Sequence, residues 1–320
     1  MRQVAMATAQ RKILVIGAGV IGSVYAGRLA LAGHDVTLCA RGRRRSELAV
    51  HGLRLRAFDR PDVRRAPITV TGPDELGGVF DLAIVSVRYP QLDEALDLLA
   101  PVRARQTMVL SNAPGIILDD MIVWGFPGAG GTIEDGVVHY ALIPEQPTTL
   151  GSATDSMGKL RDLRSILESA GFATTLCGDM AAWLAIHAVF VTALAGGFYR
   201  AGGSAAALAA SPLLAESMRG IRDGFMAMRR AGVAVLPRKL DLLFCWLPPF
   251  AATAYWRRFL SRPVAELVMS RHAMNAPDEL AALVGACRGL LAARGVAVPP
   301  GIEPLWQAVE AQAARRRPSA

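Results

Sequence analysis

The chain has 320 residues, of which 52% are hydrophobic and 19% are charged, and its formal net charge is +8 at pH 7. This length and composition predict two globular domains with sizeable cores and exclude a mainly disordered chain. The basic residues are almost all arginines, which we interpret as scattered apart from 43–45 and 315–317, so we predict no nucleic-acid partner and no membrane partner. The four cysteines are too far apart to predict a metal site or a disulfide framework.

The most informative motif is a glycine-rich turn that follows the apolar run Ile13–Ile16 and precedes a helical pattern. In a βαβ unit, the first glycine permits a tight turn, the second lets a pyrophosphate approach the backbone, and the third lets the helix pack closely. The free N–H groups and the positive dipole end of the helix then face the phosphates. The predicted cofactor-binding residues of this turn are Gly17, Gly19, Val20, Ile21 and Gly22.

The end of the second predicted strand, 34–39, indicates which dinucleotide binds. An NAD site usually places Asp or Glu there, roughly 20 residues after the glycines, to hold the ribose 2′-hydroxyl. Here Arg41 takes that place and Arg43–Arg45 follow it. A guanidinium group can donate two parallel hydrogen bonds to the oxygens of one phosphate. We therefore predict that the cofactor is NADPH and that Arg41 binds its 2′-phosphate. The alternative for Arg43–Arg45 is a solvated start of a helix.

The rest of the chain predicts an α/β Rossmann-type dinucleotide-binding domain over 1–178, followed by an all-α domain over 179–320. Further strands are predicted near Leu53 and over 68–70, 81–87, 107–111, 121–124, 137–140, 148–150 and 172–176, with helices over 91–100 and 157–170. In the second domain, helices are predicted over 179–199, 205–231, 237–259, 261–274 and 277–294, and a frayed tail from Arg315.

Two segments allow two interpretations each. The run 181–198 carries no formal charge and is long enough to span a membrane, but we predict the buried central helix of the second domain. The glycine-rich stretch 126–131 is predicted to be a loop that shapes a substrate pocket or serves as a flexible connection. The residues before the first strand lack the apolar run of a signal peptide, so we expect a cytoplasmic protein.

Several of these segments together resemble the 2-dehydropantoate 2-reductase (ketopantoate reductase) family. The resemblance is strong over 12–23, 34–41, 52–53, 81–87 and 112–115, and looser at Trp183, 278–280 and 295–299. It implies a Rossmann domain and a helical domain with the active site in the cleft between them. It also implies that NADPH reduces a 2-oxo acid.

The resemblance assigns roles to three residues. Arg88 stands where the family usually carries a lysine that contacts the cofactor. Asn112 matches an asparagine near the nicotinamide, although the turn here reads Asn-Ala-Pro-Gly, which alters the loop between Asn112 and Gly115. Glu279 matches a substrate-binding glutamate; its alternative is a carboxylate that complements the helix dipole.

The chain departs from the family on its central helix. The resemblance implies a catalytic lysine and two asparagines at positions that are Ala185, Val189 and Ala193 here, so activity on ketopantoate itself is in doubt. His187 is the polar residue in the middle of this helix, and its ordinary pKa suits proton donation. We predict that His187 replaces the lysine; the alternative is a buried histidine bonded to the backbone. Lesser candidates are His139, Tyr140 and His272.

The sequence therefore predicts an NADPH-dependent oxidoreductase that reduces a small 2-oxo acid or related carbonyl. The substrate is expected to be more apolar than ketopantoate, because the family's polar face is Ala and Val here. The alternatives are an imine reductase or opine-type dehydrogenase, and a non-catalytic NADPH-binding regulator. The apolar second domain suggests a homodimer.

Overall fold

The computed structural model describes residues 9–116, 121–152 and 157–316. The chain divides into two compact units. The first holds the described parts of Met1–Val87, Gln91–Ser111 and Asp119–Gly178, and the second holds those of Arg88–Pro90, Asn112–Leu118 and Asp179–Ala320. Two short segments that follow strands of the first unit therefore group with the second.

The first unit contains the strands and four helices. Its strands are β1 (Lys12–Ile16), β2 (Asp35–Cys39), β3 (Leu53–Ala57), β4 (Arg64–Ala66), β5 (Thr69–Thr71), β6 (Gly78–Val85), β7 (Val102–Leu110), β8 (Ile122–Phe126), β9 (Ala129–Glu134), β10 (Val137–Leu142), β11 (Thr148–Gly151) and β12 (Thr174–Leu176). Its helices are α1 (Val20–Leu31), α2 (Gly42–His51), α3 (Leu92–Asp97) and α4 (Met157–Ser169). Each strand predicted from the sequence is present, which confirms the α/β class of this half.

The main sheet has the strand order β12-β11-β8-β7-β6-β1-β2-β5 within the described residues. Strand β1 is central and pairs in parallel with both β2 and β6. The apolar run of β1 is completely buried, as expected for a parallel strand covered on both faces. Because neighbouring parallel strands end at the same edge of the sheet, the segments after β1, β2 and β6 meet there.

A second sheet in the described residues, of order β4-β3-β10-β9, corrects the prediction for 126–131. Most of that stretch is not a loop, because β9 begins at Ala129 and pairs antiparallel with β10. Its glycines serve close packing: a β-carbon on Gly131 would lie 2.1 Å from the carbonyl oxygen of His139. The interpretation as a flexible connection or pocket loop is therefore wrong for Ala129–Gly131.

The second unit is helical throughout its described elements. These are α5 (Met180–Arg200), α6 (Ala205–Ala210), α7 (Leu213–Arg230), α8 (Arg238–Asp241), a π-helical turn (Leu242–Trp246), α9 (Pro249–Leu260), α10 (Pro263–Ala265), a second π-helical turn (Glu266–Ser270), α11 (Arg271–Asn275), α12 (Pro277–Ala292) and α13 (Glu303–Arg316). The helix predicted over 205–231 is broken at Ser211-Pro212. The prediction missed α13 and was wrong to treat Arg315 and Arg316 as a frayed tail; 317–320 lie outside the described residues.

Helix α5 is the long apolar helix that could be mistaken for a membrane span. It is long and apolar enough to cross a membrane, but 89% of its most apolar window is buried inside the protein. It packs against α7, α12 and α13. Its contacts are specific: Trp306 Nε1 donates to Thr192 Oγ1 at 3.0 Å, and a β-carbon on Gly196 would lie 2.2 Å from the Leu305 carbonyl oxygen. The helix is therefore the core of its unit, as predicted.

Candidate active site

The glycine turn between β1 and α1 has a different constraint at each glycine. Gly17 has φ +106°, and a β-carbon there would lie 2.2 Å from the Ser86 carbonyl oxygen at the end of β6. A β-carbon on Gly22 would lie 1.8 Å from the Gly17 carbonyl oxygen, so α1 packs directly onto the turn. Positive φ and backbone contact at these distances leave room for glycine alone.

The space over Gly19 differs, because no atom lies within 4 Å of a β-carbon placed there. Gly19 caps α1 without a side-chain hydrogen bond, and the first turn of the helix, which includes Val20 and Ile21, carries no acidic residue. Free N–H groups and the positive end of the helix dipole therefore face this space. The turn thus fits the pyrophosphate of a dinucleotide.

The arginines after β2 have different surroundings. Arg41 caps α2 and forms an exposed ion pair with Glu94 on α3. Arg44 lies inward, where its Nε donates to the Ala18 carbonyl oxygen at 3.3 Å and its Nη1 donates to Glu47 at 2.6 Å. The Arg44 Nη2 is buried and has no hydrogen-bond partner among the described residues. Arg44 is thus the arginine in contact with the glycine turn, a position that the sequence analysis did not single out.

Arg45 and Arg43 are less suited to a phosphate. Arg45 Nη2 pairs with Glu75 at 2.6 Å, and its guanidinium packs on Gly72. Arg43 is exposed at the start of α2. The interpretation as a solvated helix start therefore suits Arg43, while Arg45 has a structural partner.

Arg88 and Glu279 lie together in the second unit. Arg88 Nε is 4.0 Å from Glu279 Oε2, and Arg88 Nη2 donates to the Asn275 carbonyl oxygen at 3.2 Å. Glu279 is in the first turn of α12 and is buried, and its Oε1 accepts a hydrogen bond from the Tyr89 N–H at 3.4 Å. Its Oε2 has no hydrogen-bond partner among the described residues. Glu279 Oε2 therefore faces the Arg88 guanidinium as a charge partner and makes no hydrogen bond among the described residues, so it can accept one from a ligand donor.

Asn112 also belongs to the second unit and directly follows the strand-end residue Ser111. It is only 8% exposed, and its Oδ1 is buried with no hydrogen-bond partner among the described residues. An amide in this state has acceptor capacity for a ligand donor. The described residues that follow it, through Gly115, form the altered turn noted from the sequence.

His187 is buried in the middle of α5 and stacks on Trp183, with ring centroids 5.0 Å apart and planes 6° from parallel. Burial, together with a smaller effect of the charge of His272, lowers the pKa of His187 to about 3. The imidazole is therefore neutral at pH 7. The ordinary histidine pKa expected from the sequence is therefore wrong for His187, because burial disfavours the charged ring.

The three positions on α5 that the resemblance aligns with polar residues are part of the apolar core here. Ala185, Val189 and Ala193 are at most 1% exposed. Val189 Cγ1 would lie 2.7 Å from a β-carbon on Gly224, so this side chain occupies the space that α7 leaves open. These positions are packed and cannot hold a polar group without rearrangement.

The lesser candidates have different surroundings. Tyr140, on β10, accepts a hydrogen bond from Arg28 Nη1 at 3.0 Å, which ties the second sheet to α1. His139 is half-buried on the same strand, where its backbone packs on Gly131. His272 is exposed on α11, near enough to His187 for its charge to act on that ring. Of the three, His272 is thus electrostatically linked to a predicted site residue.

Part of the chain is similar in sequence to known proteins. The sequence profile described as "Ketopantoate reductase PanE/ApbA" matches residues 13–147. A 2-dehydropantoate 2-reductase from Mesorhizobium japonicum is 32% identical over 124 residues, which are 38% of this chain and 36% of that protein. The chain thus matches little more than a third of that relative's length.

Two solved structures extend the likeness of fold to nearly the whole chain. The 2-dehydropantoate 2-reductase from Geobacter metallireducens has a TM-score of 0.71 at 21% identity, covering 94% of this chain and 99% of that one. A D-mandelate dehydrogenase with NADH and anilino(oxo)acetate has a TM-score of 0.74 at 16% identity, covering 95% of this chain and 98% of that one. At these identities the structures show a shared fold.

Proposed function

We propose that the chain belongs to the PanE/ApbA ketopantoate reductase family and that it is an NADPH-dependent reductase of a carbonyl in a small 2-oxo acid. One observation carries the proposal: the open space over Gly19 lies at the start of α1, and the guanidinium of Arg44 rests on the same turn. A pyrophosphate fits the first feature, and a further phosphate fits the second.

Residues of the first unit account for cofactor binding. The N–H groups at the start of α1 hold the pyrophosphate, and Gly19 leaves room for its oxygens. Arg41 and Arg44 bind the 2′-phosphate that distinguishes NADPH from NADH. Arg44 is preorganised by Ala18 and Glu47, whereas Arg41 must first separate from Glu94. This order makes Arg44 the stronger determinant of NADPH preference.

Residues of the second unit account for substrate and nicotinamide contacts. The cofactor supplies a hydride to the carbonyl carbon of the substrate. Asn112 Oδ1 accepts a hydrogen bond from a ligand amide or hydroxyl, and Glu279 Oε2 accepts one from a donor such as a substrate hydroxyl. Arg88 offers its half-exposed guanidinium to an anionic group. Asn112 Oδ1 and Glu279 Oε2 are buried acceptors without a hydrogen bond among the described residues, whereas Arg88 already contacts Asn275 and Glu279.

His187 acts in this proposal as a neutral hydrogen-bond donor. Reduction leaves negative charge on the carbonyl oxygen, which must be stabilised and then protonated. With its pKa near 3, the His187 ring at pH 7 offers an N–H and no excess proton. The exposed His272 passes a proton between solvent and this ring.

The substrate is proposed to be a 2-oxo acid with an apolar side chain. The packed Ala185, Val189 and Ala193 provide no polar group for a hydroxylated substrate. The D-mandelate dehydrogenase of similar fold holds anilino(oxo)acetate, whose substituent is aromatic. Both observations favour apolar or aromatic 2-oxo acids over ketopantoate.

A non-catalytic NADPH-binding protein is the second candidate, and one observation favours it. The residue proposed to replace the family lysine is neutral and packed on Trp183. Such a protein would bind the cofactor through the first unit and leave it unchanged.

The test is NADPH oxidation, followed by absorbance, against 2-oxo acids with hydroxylated, aliphatic and aromatic side chains, with and without added amines. Cofactor affinity is measured separately by protein fluorescence. We expect tight NADPH binding and the highest kcat/KM on apolar 2-oxo acids. Tight binding with no turnover supports the non-catalytic alternative, and turnover that requires an amine supports an imine reductase. Failure to bind either dinucleotide overturns both proposals.

A further inference from the structure

The net positive charge of the chain is concentrated in one segment of the second unit. Residues 1–218 contain 20 basic and 20 acidic residues, and 263–320 contain six and five. Residues 219–262, which run from α7 to the end of α9, contain nine basic residues and two acidic ones. The initial interpretation that the arginines are scattered holds for their positions and is wrong for the net charge.

The same 44 residues expose most of the large apolar side chains found on the described surface. Six of eleven such side chains lie here: Met226, Leu242, Trp246, Leu247, Phe250 and Tyr255. Five consecutive apolar residues, Trp246–Phe250, are all exposed, and we call them the 246–250 segment. Consecutive exposed apolar residues are unfavourable in water unless something covers them.

Polar contacts hold the 246–250 segment in its exposed position. Trp246 Nε1 donates to Asp241 Oδ2 at 3.0 Å, and Asp241 is paired with Arg229, whose guanidinium lies 6.0 Å from the Trp246 ring centroid. Arg222 Nη1 donates to the Leu247 carbonyl oxygen at 3.3 Å. The aromatic ring at one end of the segment is therefore oriented outward by specific partners.

We propose that the 246–250 segment and the basic residues around it bind the anionic surface of a lipid bilayer. Exposed Trp, Leu and Phe side chains enter the boundary between headgroups and acyl chains, and arginines bind the lipid phosphates. The exposed basic residues of 219–262 are Arg219, Arg230, Arg238, Lys239, Arg257, Arg258 and Arg262; they lie on or next to α7, α8 and α9, which each pack against the π-helical turn Leu242–Trp246. The protein would lie on one leaflet through this surface, with α5 remaining in its core.

Charge complementarity favours this occupant over a second copy of the chain. A symmetric dimer through the segment would bring two surfaces together that each carry nine basic residues and two acidic ones. Like charges that face one another across an interface oppose association. An anionic bilayer presents the opposite charge and also accepts the aromatic side chains.

The test uses the full chain and vesicles of phosphatidylcholine with or without phosphatidylglycerol. We expect co-sedimentation with the anionic vesicles at low salt and its loss as salt is raised. Trp246 provides an internal probe, because it is 70% exposed while the other four tryptophans are at most 8% exposed. Its emission should move to shorter wavelength on binding, and Trp246→Phe should abolish that shift while preserving sedimentation.

Two pairs of variants test the two parts of the surface. Trp246→Ser with Phe250→Ser, and Arg257→Glu with Arg258→Glu, should each lower vesicle affinity about tenfold or more. Matched controls are Val50→Ser with Val79→Ser and Arg103→Glu with Arg105→Glu, which change exposed residues of the first unit and should leave affinity unchanged. Circular dichroism and thermal melting establish that each variant is folded.

Three outcomes would overturn the proposal. The first is equal binding to neutral and anionic vesicles. The second is an equal loss of vesicle affinity in the test variants and in the control variants. The third is a dimer, seen by sedimentation equilibrium without lipid, that dissociates in the Trp246→Ser, Phe250→Ser variant. That result would assign the 246–250 segment to self-association.

Discussion

The Gly17 carbonyl oxygen lies 1.8 Å from the place that a β-carbon on Gly22 would take, whereas nothing lies within 4 Å of a β-carbon on Gly19. Two glycines of one turn are thus required for different reasons. Gly22 is required by the packing of α1 on the turn, whereas the space over Gly19 is open.

We therefore predict opposite behaviour for Gly19→Ala and Gly22→Ala. Gly19 has φ −69°, which alanine adopts without strain, so Gly19→Ala should melt within a few degrees of the parent and bind NADPH at least tenfold more weakly. Gly22→Ala should lower the free energy of unfolding by about 3 kcal/mol or more, because backbone must move. Thermal melting and cofactor titration separate the two. Equal NADPH affinity in Gly19→Ala and the parent would contradict the site.

The two arginines after β2 should contribute unequally to cofactor choice. Arg44→Ala should weaken NADPH binding about 10- to 100-fold and leave NADH binding nearly unchanged, because a charged hydrogen bond contributes about 1.5–3 kcal/mol. Glu94→Gln should strengthen NADPH binding a few-fold by releasing Arg41 from its exposed ion pair. Arg43→Ala is the control. Equal losses for both dinucleotides in Arg44→Ala would remove Arg44 from the 2′-phosphate.

Glu279 should matter for substrate more than for stability. Glu279→Gln keeps the shape and can still accept the Tyr89 N–H, and the Arg88 guanidinium that it faces at 4.0 Å is half-exposed, so the free energy of unfolding should change by less than about 1 kcal/mol. If Oε2 accepts a hydrogen bond from the substrate, KM for the best 2-oxo acid should rise about tenfold or more. NADPH affinity serves as the control and should not change. An unchanged KM would leave Glu279 a structural residue.

His187 should make the protein sensitive to mild acid. Its pKa is about 3 in the folded chain, mainly through burial, and near 6.5 when unfolded, so the unfolded chain takes up the proton first. The stability that His187 contributes is complete above pH 6.5 and falls as the pH drops towards 3. Between pH 6.5 and 5 the loss is about 2 kcal/mol.

The measurement is urea unfolding of the parent and His187→Gln at pH 7, 6 and 5. The variant should lose less stability over this range, whatever its stability at pH 7. Burial and the charge of Arg11 also lower the pKa of His34. Because His34 is present in both proteins, its effect on stability cancels in the comparison. His51→Gln, an exposed position, is the control and should follow the parent. Parallel pH curves for the parent and His187→Gln would show that His187 titrates normally.

Local patterns in the sequence were sufficient to predict the glycine turn, the βαβ unit formed by β1, α1 and β2, and the central apolar helix α5. Each depends on neighbouring residues: three glycines at fixed spacing, alternation between strand and helix, and an uncharged run. The net charge of 219–262 can also be counted from the sequence. The α5 run and the 246–250 segment are both apolar, yet the first is buried and the second is exposed. Composition does not distinguish them, because burial depends on which helices pack against each segment.

Tertiary structure alone decided the roles of single side chains. Three contacts illustrate this: Arg44 with the glycine turn, Glu279 with Arg88 and the Tyr89 backbone, and His187 with Trp183. Neither separation along the chain nor position on a helix predicts these contacts. The pKa of His187 follows from its surroundings, so no residue type predicts it. The sequence determined the glycine turn, because a turn is local, and the fold determined which charges and rings surround each side chain.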